Sequence, residues 1–169
     1  MRGAGKSHWG RLWADLVGAV FIDLDEEIEK RTGRSIESIV KENGWSYFRG
    51  IESDVMSAVL QENRDGTIIS NGGGVVESES NRHMLRQWGG VLWIKVSLPE
   101  LEKRVAREGH RPSLTGADPV AELEKVFYIR RELYETLADH VIEPENRDPQ
   151  EVLHELQQLW KFLPADKLR

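Results

Sequence analysis

Four short apolar runs, set between much longer stretches with helical spacing, constrain this chain more than any other feature. "AVFID" (19–23), "TIIS" running into "NGGG" (67–74), "VLWIKV" (91–96) and "HVIE" (140–143) are too short for helices and read as strands. Between them the periodicity changes. Lys6 to about Val17 puts Leu12, Trp13 and Leu16 on one side of a helix. A second helix starts at Leu24 and stops at Gly33; a third carries a Ser35 cap and ends at Gly44. Ser38, rather than an acid or amide, stands three residues after that cap, so the capping box is incomplete. Further helices are predicted over 47–63, with Ile51, Val55, Val59 and Leu60 in register, over 79–88, 98–107 and about 120–138, and from Asp148 onward with Pro149 in the first turn. Short strands alternating with helices imply a parallel sheet covered on both faces. Ligands of such sheets bind at the carboxyl ends of the strands. Asp23 with Asp25, Gly72–Gly74 and the glycines at the N-terminus all fall at such ends.

Composition narrows the function. The 169 residues suit one domain with a sizeable core, and 39% hydrophobic against 31% charged residues is a globular balance. A net charge of −6, from 29 acidic and 23 basic residues, argues against bulk nucleic-acid binding. The absence of cysteine excludes disulfides, thiolate metal sites and cysteine nucleophiles. No apolar run is long enough to cross a bilayer and no signal-peptide core opens the chain, so a cytoplasmic protein is expected.

The opening "MRGAGKS" reads as the second half of a phosphate-binding loop, G-x-x-x-x-G-K-[ST]. Backbone N–H groups of such a turn at a helix N-terminus surround phosphate oxygens; Lys6 would neutralise the outer phosphates and Ser7 would bind Mg²⁺. A flexible N-terminal turn explains the same residues equally well. In "FIDLDEE", Asp23 and Asp25 at a strand end can divide the work, one holding Mg²⁺ through water and one accepting a substrate hydroxyl proton; acids favoured by the helix dipole are the alternative. Arg49 and Glu52 in "FRGIE" share a helix face, as a surface ion pair or as an oriented arginine that binds an anion. "NGGG" lets backbone approach a ligand, or forms a wide turn. Arg111 in "HRPS" is a lid arginine or a solvated one. In "IRRELYE" one arginine can face inward.

Taken in order, half a Walker A motif, D-x-D about sixteen residues on, F-R-x-x-E, G-G-G, R-P and R-x-x-L-Y resemble the shikimate kinase family over nearly the whole chain. "MRGAGK" is similar to the kinase domains of fused aromatic-pathway enzymes. The resemblance implies a single domain (1–169, lid about 108–118) in the α/β class, with a three-layer parallel sheet of the P-loop nucleoside-monophosphate-kinase type. It implies ATP-dependent phosphorylation of the 3-hydroxyl of shikimate, in chorismate and aromatic amino-acid biosynthesis, by a cytoplasmic monomer without nucleic-acid or membrane partners. Gly3, Ala4, Gly5, Lys6 and Ser7 would bind ATP; Ser7 and Asp23 would hold Mg²⁺. Asp25 would bind the accepting hydroxyl and act as its base. Arg49 and Arg130 would grip the shikimate carboxylate, Glu52 would orient Arg49, and Gly73 and Gly74 would hydrogen-bond the substrate. Arg130 is preferred to Arg131 because the family arginine lies four residues before the tyrosine, here Tyr134. Lys6 and Arg111 join Asp25 as catalytic residues, and Arg107, Arg147 and Pro149 would contact adenine. A gluconate-type kinase, a non-catalytic ligand-binding relative or an inactive truncated fragment are the alternatives.

The sequence departs from the family pattern in three places. Asn71 stands where a small or threonine-like residue is usual, and the Arg107–Arg111 stretch is short for a lid. The first strand and first loop glycine are missing. That strand would be central, so the expectation is a genuine phosphate loop that begins too late. Such a chain should be unstable, or be completed by residues upstream.

Overall fold

The computed structural model describes residues 1–63, 66–108 and 119–162. Helix α1 (Lys6–Val17) leads into β1 (Val20–Asp23), α2 (Leu24–Thr32) and α3 (Ile36–Glu62). Strand β2 (Thr67–Ser70), a 3₁₀ turn (Val75–Glu77), α4 (Glu79–Trp88) and β3 (Leu92–Ile94) follow, then α5 (Leu98–Glu108), α6 (Pro119–Leu137), β4 (His140–Ile142) and α7 (Pro149–Phe162).

Local chemistry sets most of these boundaries. Asp23 caps α2 by accepting the Asp25 N–H at 3.0 Å. Gly33, left-handed at φ 66°, closes that helix onto the Glu29 carbonyl. Ser35 accepts the Ser38 N–H at 3.2 Å, and the Ser38 hydroxyl returns to the Ser35 carbonyl at 2.8 Å. A serine thus supplies a backward bond at the position the capping box gives to an acid or amide. The expected stop at Gly44 is a sharp break, φ 82° and ψ 169°, inside the longer α3. The run 91–96 is shorter as a strand than its apolar pattern suggests, with only Leu92–Ile94 paired in the ladder.

The strands pair as two parallel ladders. β1 lies against β2 with Phe21 opposite Ile68 and Asp23 opposite Ser70; β3 lies against β4 with Trp93 opposite Val141. Alternate side chains go to opposite layers, as the pleat requires. Phe21, Ile68, Leu92 and Ile142 pack with Trp13 and Ala14 of α1 and Val152 and Leu156 of α7. Ile22, Ile69 and Trp93 pack instead with Phe48 and Val55 of α3, Leu85 of α4 and Tyr134 of α6. The result is the three-layer α/β arrangement.

Among the described residues the two ladders are not joined. β2 and β3 face each other across a cavity of about 180 Å³, lined by both strands, by Trp13 and Trp160 from one layer, and by Tyr134 and Leu137 from the other. Trp13 Nε1 is buried without a hydrogen-bond partner among the described residues. This is the position at which the sequence leads one to expect a central strand.

Candidate active site

The N-terminal loop owes its shape to two glycines. Gly3 and Gly5 are left-handed, at φ 72° and 79°, and Gly5 is the N-cap of α1. A Cβ on either would lie 3.4 Å from a neighbour, Arg104 Cβ in one case and Trp9 Cδ1 in the other. Arg104 of α5 secures the turn, donating to the Gly3 carbonyl at 3.0 Å while Glu100 holds its Nε at 2.8 Å. Lys6 Nζ donates to the Met1 carbonyl at 3.0 Å, which curls the loop over its own helix N-terminus. The Met1 amino group donates to the Tyr134 hydroxyl at 3.2 Å. Burial, reinforced by the charges of Lys6 and Arg130, holds that amine well below its usual 8.0.

Hard oxygen donors gather beside the loop. The Ser7 hydroxyl donates to Asp23 Oδ2 at 2.5 Å and lies 3.5 Å from the Ser70 hydroxyl. Asn71 Oδ1 is buried without a partner among the described residues, and Asn71 lines, with Ser7, Asp23 and Ser70, a cavity of about 610 Å³ beside the loop. One carboxylate with hydroxyl oxygens is a donor set suited to Mg²⁺, which keeps waters and substrate phosphates as its other ligands. Together with the glycine turn, these residues fit a Mg²⁺–nucleotide polyphosphate.

A second cavity, of about 480 Å³, opens from Lys6, Asp23 and Asp25 towards Arg49, Glu52, Gly72–Gly74 and Arg130. Arg49 and Glu52 are one helical turn apart on α3, with Arg49 Nη1 2.5 Å from Glu52 Oε2. The Arg49 guanidinium also lies over Trp45 and Phe48, 5.4 and 5.3 Å from the ring centres. Only 1% of the Glu52 side chain is exposed. Burial raises its carboxyl above the usual 4.5, against the opposing pull of Arg49. Arg130 comes from α6, 7% exposed, and donates to Glu77 Oε1 at 2.9 Å.

The three glycines act through space rather than through unusual backbone angles: Gly74 has φ −94°. A Cβ on Gly72 would collide with Glu52 Oε1, and one on Gly74 with the Arg49 guanidinium. The absence of side chains lets the ion pair lie directly on the Gly72–Gly74 backbone. Tyr134 fixes that backbone by donating to the Gly73 carbonyl at 2.6 Å.

Thus the structure brings Gly3, Gly5, Lys6, Ser7, Asp23, Asp25, Arg49, Gly73, Gly74 and Arg130 around two adjoining cavities, whereas Ala4 lines neither and is buried in the hydrophobic core. Arg107, Arg147 and Pro149 line neither; Arg147 donates to Glu155 at 2.7 Å. Arg111 lies outside the described residues. The sequence reading missed Arg104 and Glu77. Arg104 stands three residues before the arginine that was singled out, on the face of α5 turned to the loop. Glu77 lies just ahead of a helix start, where an acid carries no distinguishing signal, and only packing brings it to Arg130.

Comparison with known proteins agrees with this geometry. The family model "Shikimate kinase" matches residues 2–161. "Shikimate kinase 2" of Photorhabdus laumondii subsp. laumondii is 40% identical over 144 residues, 83% of this chain and 81% of that protein. A shikimate kinase of Bordetella avium is 42% identical over 143 residues, 85% of this chain and 68% of that protein. Among solved structures, shikimate kinase from Acinetobacter baumannii in complex with shikimate superposes with a TM-score of 0.85 at 31% identity, covering 99% of this chain and 90% of that one. The matched family model, the relatives and the shared fold lead to one conclusion: this chain belongs to the shikimate kinase family.

Proposed function

We propose that this chain transfers the γ-phosphoryl group of ATP to the 3-hydroxyl of shikimate. The observation that carries the reading is the convergence of Arg49 and Arg130, from different helices, on the cavity that reaches Asp25 and Lys6. Two arginines suit a carboxylate at one end of an acceptor, and Asp25 at the other end suits its hydroxyl.

Phosphoryl transfer asks little covalent chemistry of a protein, so positioning and charge dominate. Arg49, steadied by Glu52 and by the faces of Trp45 and Phe48, fixes the acceptor's far end together with Arg130. One hydroxyl is then directed at Asp25, which accepts its proton as the oxygen attacks phosphorus. Lys6 and the N–H groups at the start of α1 stabilise the phosphate oxygens. Ser7 and Asp23 would hold Mg²⁺, which neutralises charge shared between the phosphates when bound. Arg111, from the 108–118 lid segment, belongs to the proposal as the residue that covers the transferring group. Arg107, Arg147 and Pro149 belong to it as adenine contacts. A single domain working as a cytoplasmic monomer completes the reading. No described helix is long and apolar enough to cross a membrane.

A coupled assay of ADP release with shikimate, with gluconate and without acceptor tests it. Turnover that depends on shikimate is expected. Preference for gluconate would reassign the acceptor, and ATP binding without turnover would favour a ligand-binding relative.

A further inference from the structure

Glu77 does not line the cavity of about 480 Å³, yet its carboxylate reaches the two arginines assigned to the acceptor's own carboxylate. Its Oε1 takes the Arg130 Nε–H at 2.9 Å, and its Oε2 lies 3.8 Å from Arg49 Nε. One carboxylate therefore faces both guanidinium groups with its two oxygens, the arrangement in which a bound organic acid engages paired arginines. The backbone beneath it is well fixed. The Glu77 N–H donates to the Gly74 carbonyl at 3.0 Å, and Arg82 donates to the Glu77 carbonyl at 3.2 Å.

The two glutamates of this cluster differ in freedom. Glu52 is buried and cannot leave Arg49 without stranding two charges. Glu77 is 42% exposed and can turn its carboxylate to solvent at little desolvation cost. Charge balance makes the difference matter. Arg49 and Arg130 are matched by Glu52 and Glu77, so an incoming anion meets a cluster already neutralised. Two carboxylates on the same pair of guanidinium groups repel each other.

We propose that Glu77 is an internal carboxylate that competes with the acceptor's carboxylate for Arg49 and Arg130, and so sets the KM for the acceptor. This rests on the reading of the cavity as the shikimate site. Glu77 touches the gripping arginines, not the reacting atoms, and acts on binding rather than on the chemical step.

The test is Glu77→Gln in the full chain, with initial rates at saturating ATP on shikimate and on shikimate methyl ester. The amide keeps an acceptor for Arg130 but removes the charge. KM for shikimate should fall about tenfold while kcat and the KM for ATP change less than twofold. KM for the uncharged ester should be the same in both proteins. A shikimate KM that stays constant or rises, or an equal fall with the ester, overturns the proposal and makes Glu77 a support for Arg130. Should Glu77→Gln melt far below wild type, Glu77→Asp replaces it; its shorter carboxylate cannot reach both arginines, and an intermediate fall in KM is expected. Failure of the wild-type chain to phosphorylate shikimate sinks the function and this inference together. Turnover without the Glu77 effect sinks the inference alone.

Discussion

The cavity between β2 and β3 makes a quantitative prediction. The perturbation is an extended segment of five apolar, β-branched residues and a glycine joined ahead of Met1, compared with a Gly/Ser segment of equal length. The cavity of about 180 Å³ is bordered by Thr67 to Ser70 on one side and Leu92 to Ile94 on the other. At ~24 cal/mol per Å³ of unfilled volume, it costs about 4 kcal/mol. Counting side chains gives a similar figure. Five apolar residues buried at ~2 kcal/mol each contribute about 10 kcal/mol, against about 7.5 kcal/mol for ordering them at ~1.5 each, a net of about 2.5. At ~2–4 °C per kcal/mol for a chain of this size, Tm should rise by roughly 10 °C. The apolar fusion is also expected to slow amide exchange in β2 and β3, because a central strand joins both ladders through hydrogen bonds. Differential scanning calorimetry of the two fusions decides the matter. Melting within about 1 °C of the Gly/Ser control, with unchanged exchange in both strands, would refute the reasoning and leave the cavity as an ordinary packing defect.

Four further outcomes are expected. Asp25→Asn should lower kcat by roughly 10²-fold or more while leaving ATP affinity within a factor of two, measured by turnover beside nucleotide titration; near-normal turnover removes Asp25 from the catalytic group. Arg130→Ala should weaken acceptor binding by about 2–4 kcal/mol and spare ATP, since it deletes a buried charge-assisted contact; a selective loss of ATP affinity would contradict the carboxylate clamp. Gly74→Ala should raise the acceptor KM, because the new Cβ displaces the Arg49 guanidinium, and kinetics identical to wild type would show that Arg49 is not seated as described. The Glu52 carboxyl, raised above 4.5 by burial, contributes fully to stability below that value and loses its contribution as pH rises through the folded pKa. Wild type should therefore lose stability relative to Glu52→Gln over that interval, and a Tm difference independent of pH would exclude it.

Local chemistry explains which features could be read from the chain alone. The Ser35 cap, the Gly33 stop, the Gly44 break and Pro149 at the head of α7 each depend on a few neighbouring residues, and all stand as the sequence implies. The strands could be placed because buried parallel strands read as short apolar runs whatever their partners. The phosphate-loop glycines, Lys6, Ser7, Asp23 and Asp25 each allow a bland reading alone; their places at strand ends and the family resemblance carried by their order point to a shared site.

Other features have no local cause. The Gly72–Gly74 run reads in sequence as backbone open to a ligand or as a wide turn, yet the need for hydrogen in place of a side chain at Gly72 and Gly74 comes from Glu52 and Arg49 of α3. Arg104 and Arg107 lie three apart and share a face of α5, so only the docking of α5 against the loop selects Arg104 for contact with Gly3. The pairing of Glu77 with Arg130 joins residues 53 positions apart. Sequence alone determined the α/β class, the order of elements and the chemical groups available to the site. Tertiary structure decided which groups meet, because burial, charge pairing and steric exclusion act between surfaces that the chain brings together only on folding.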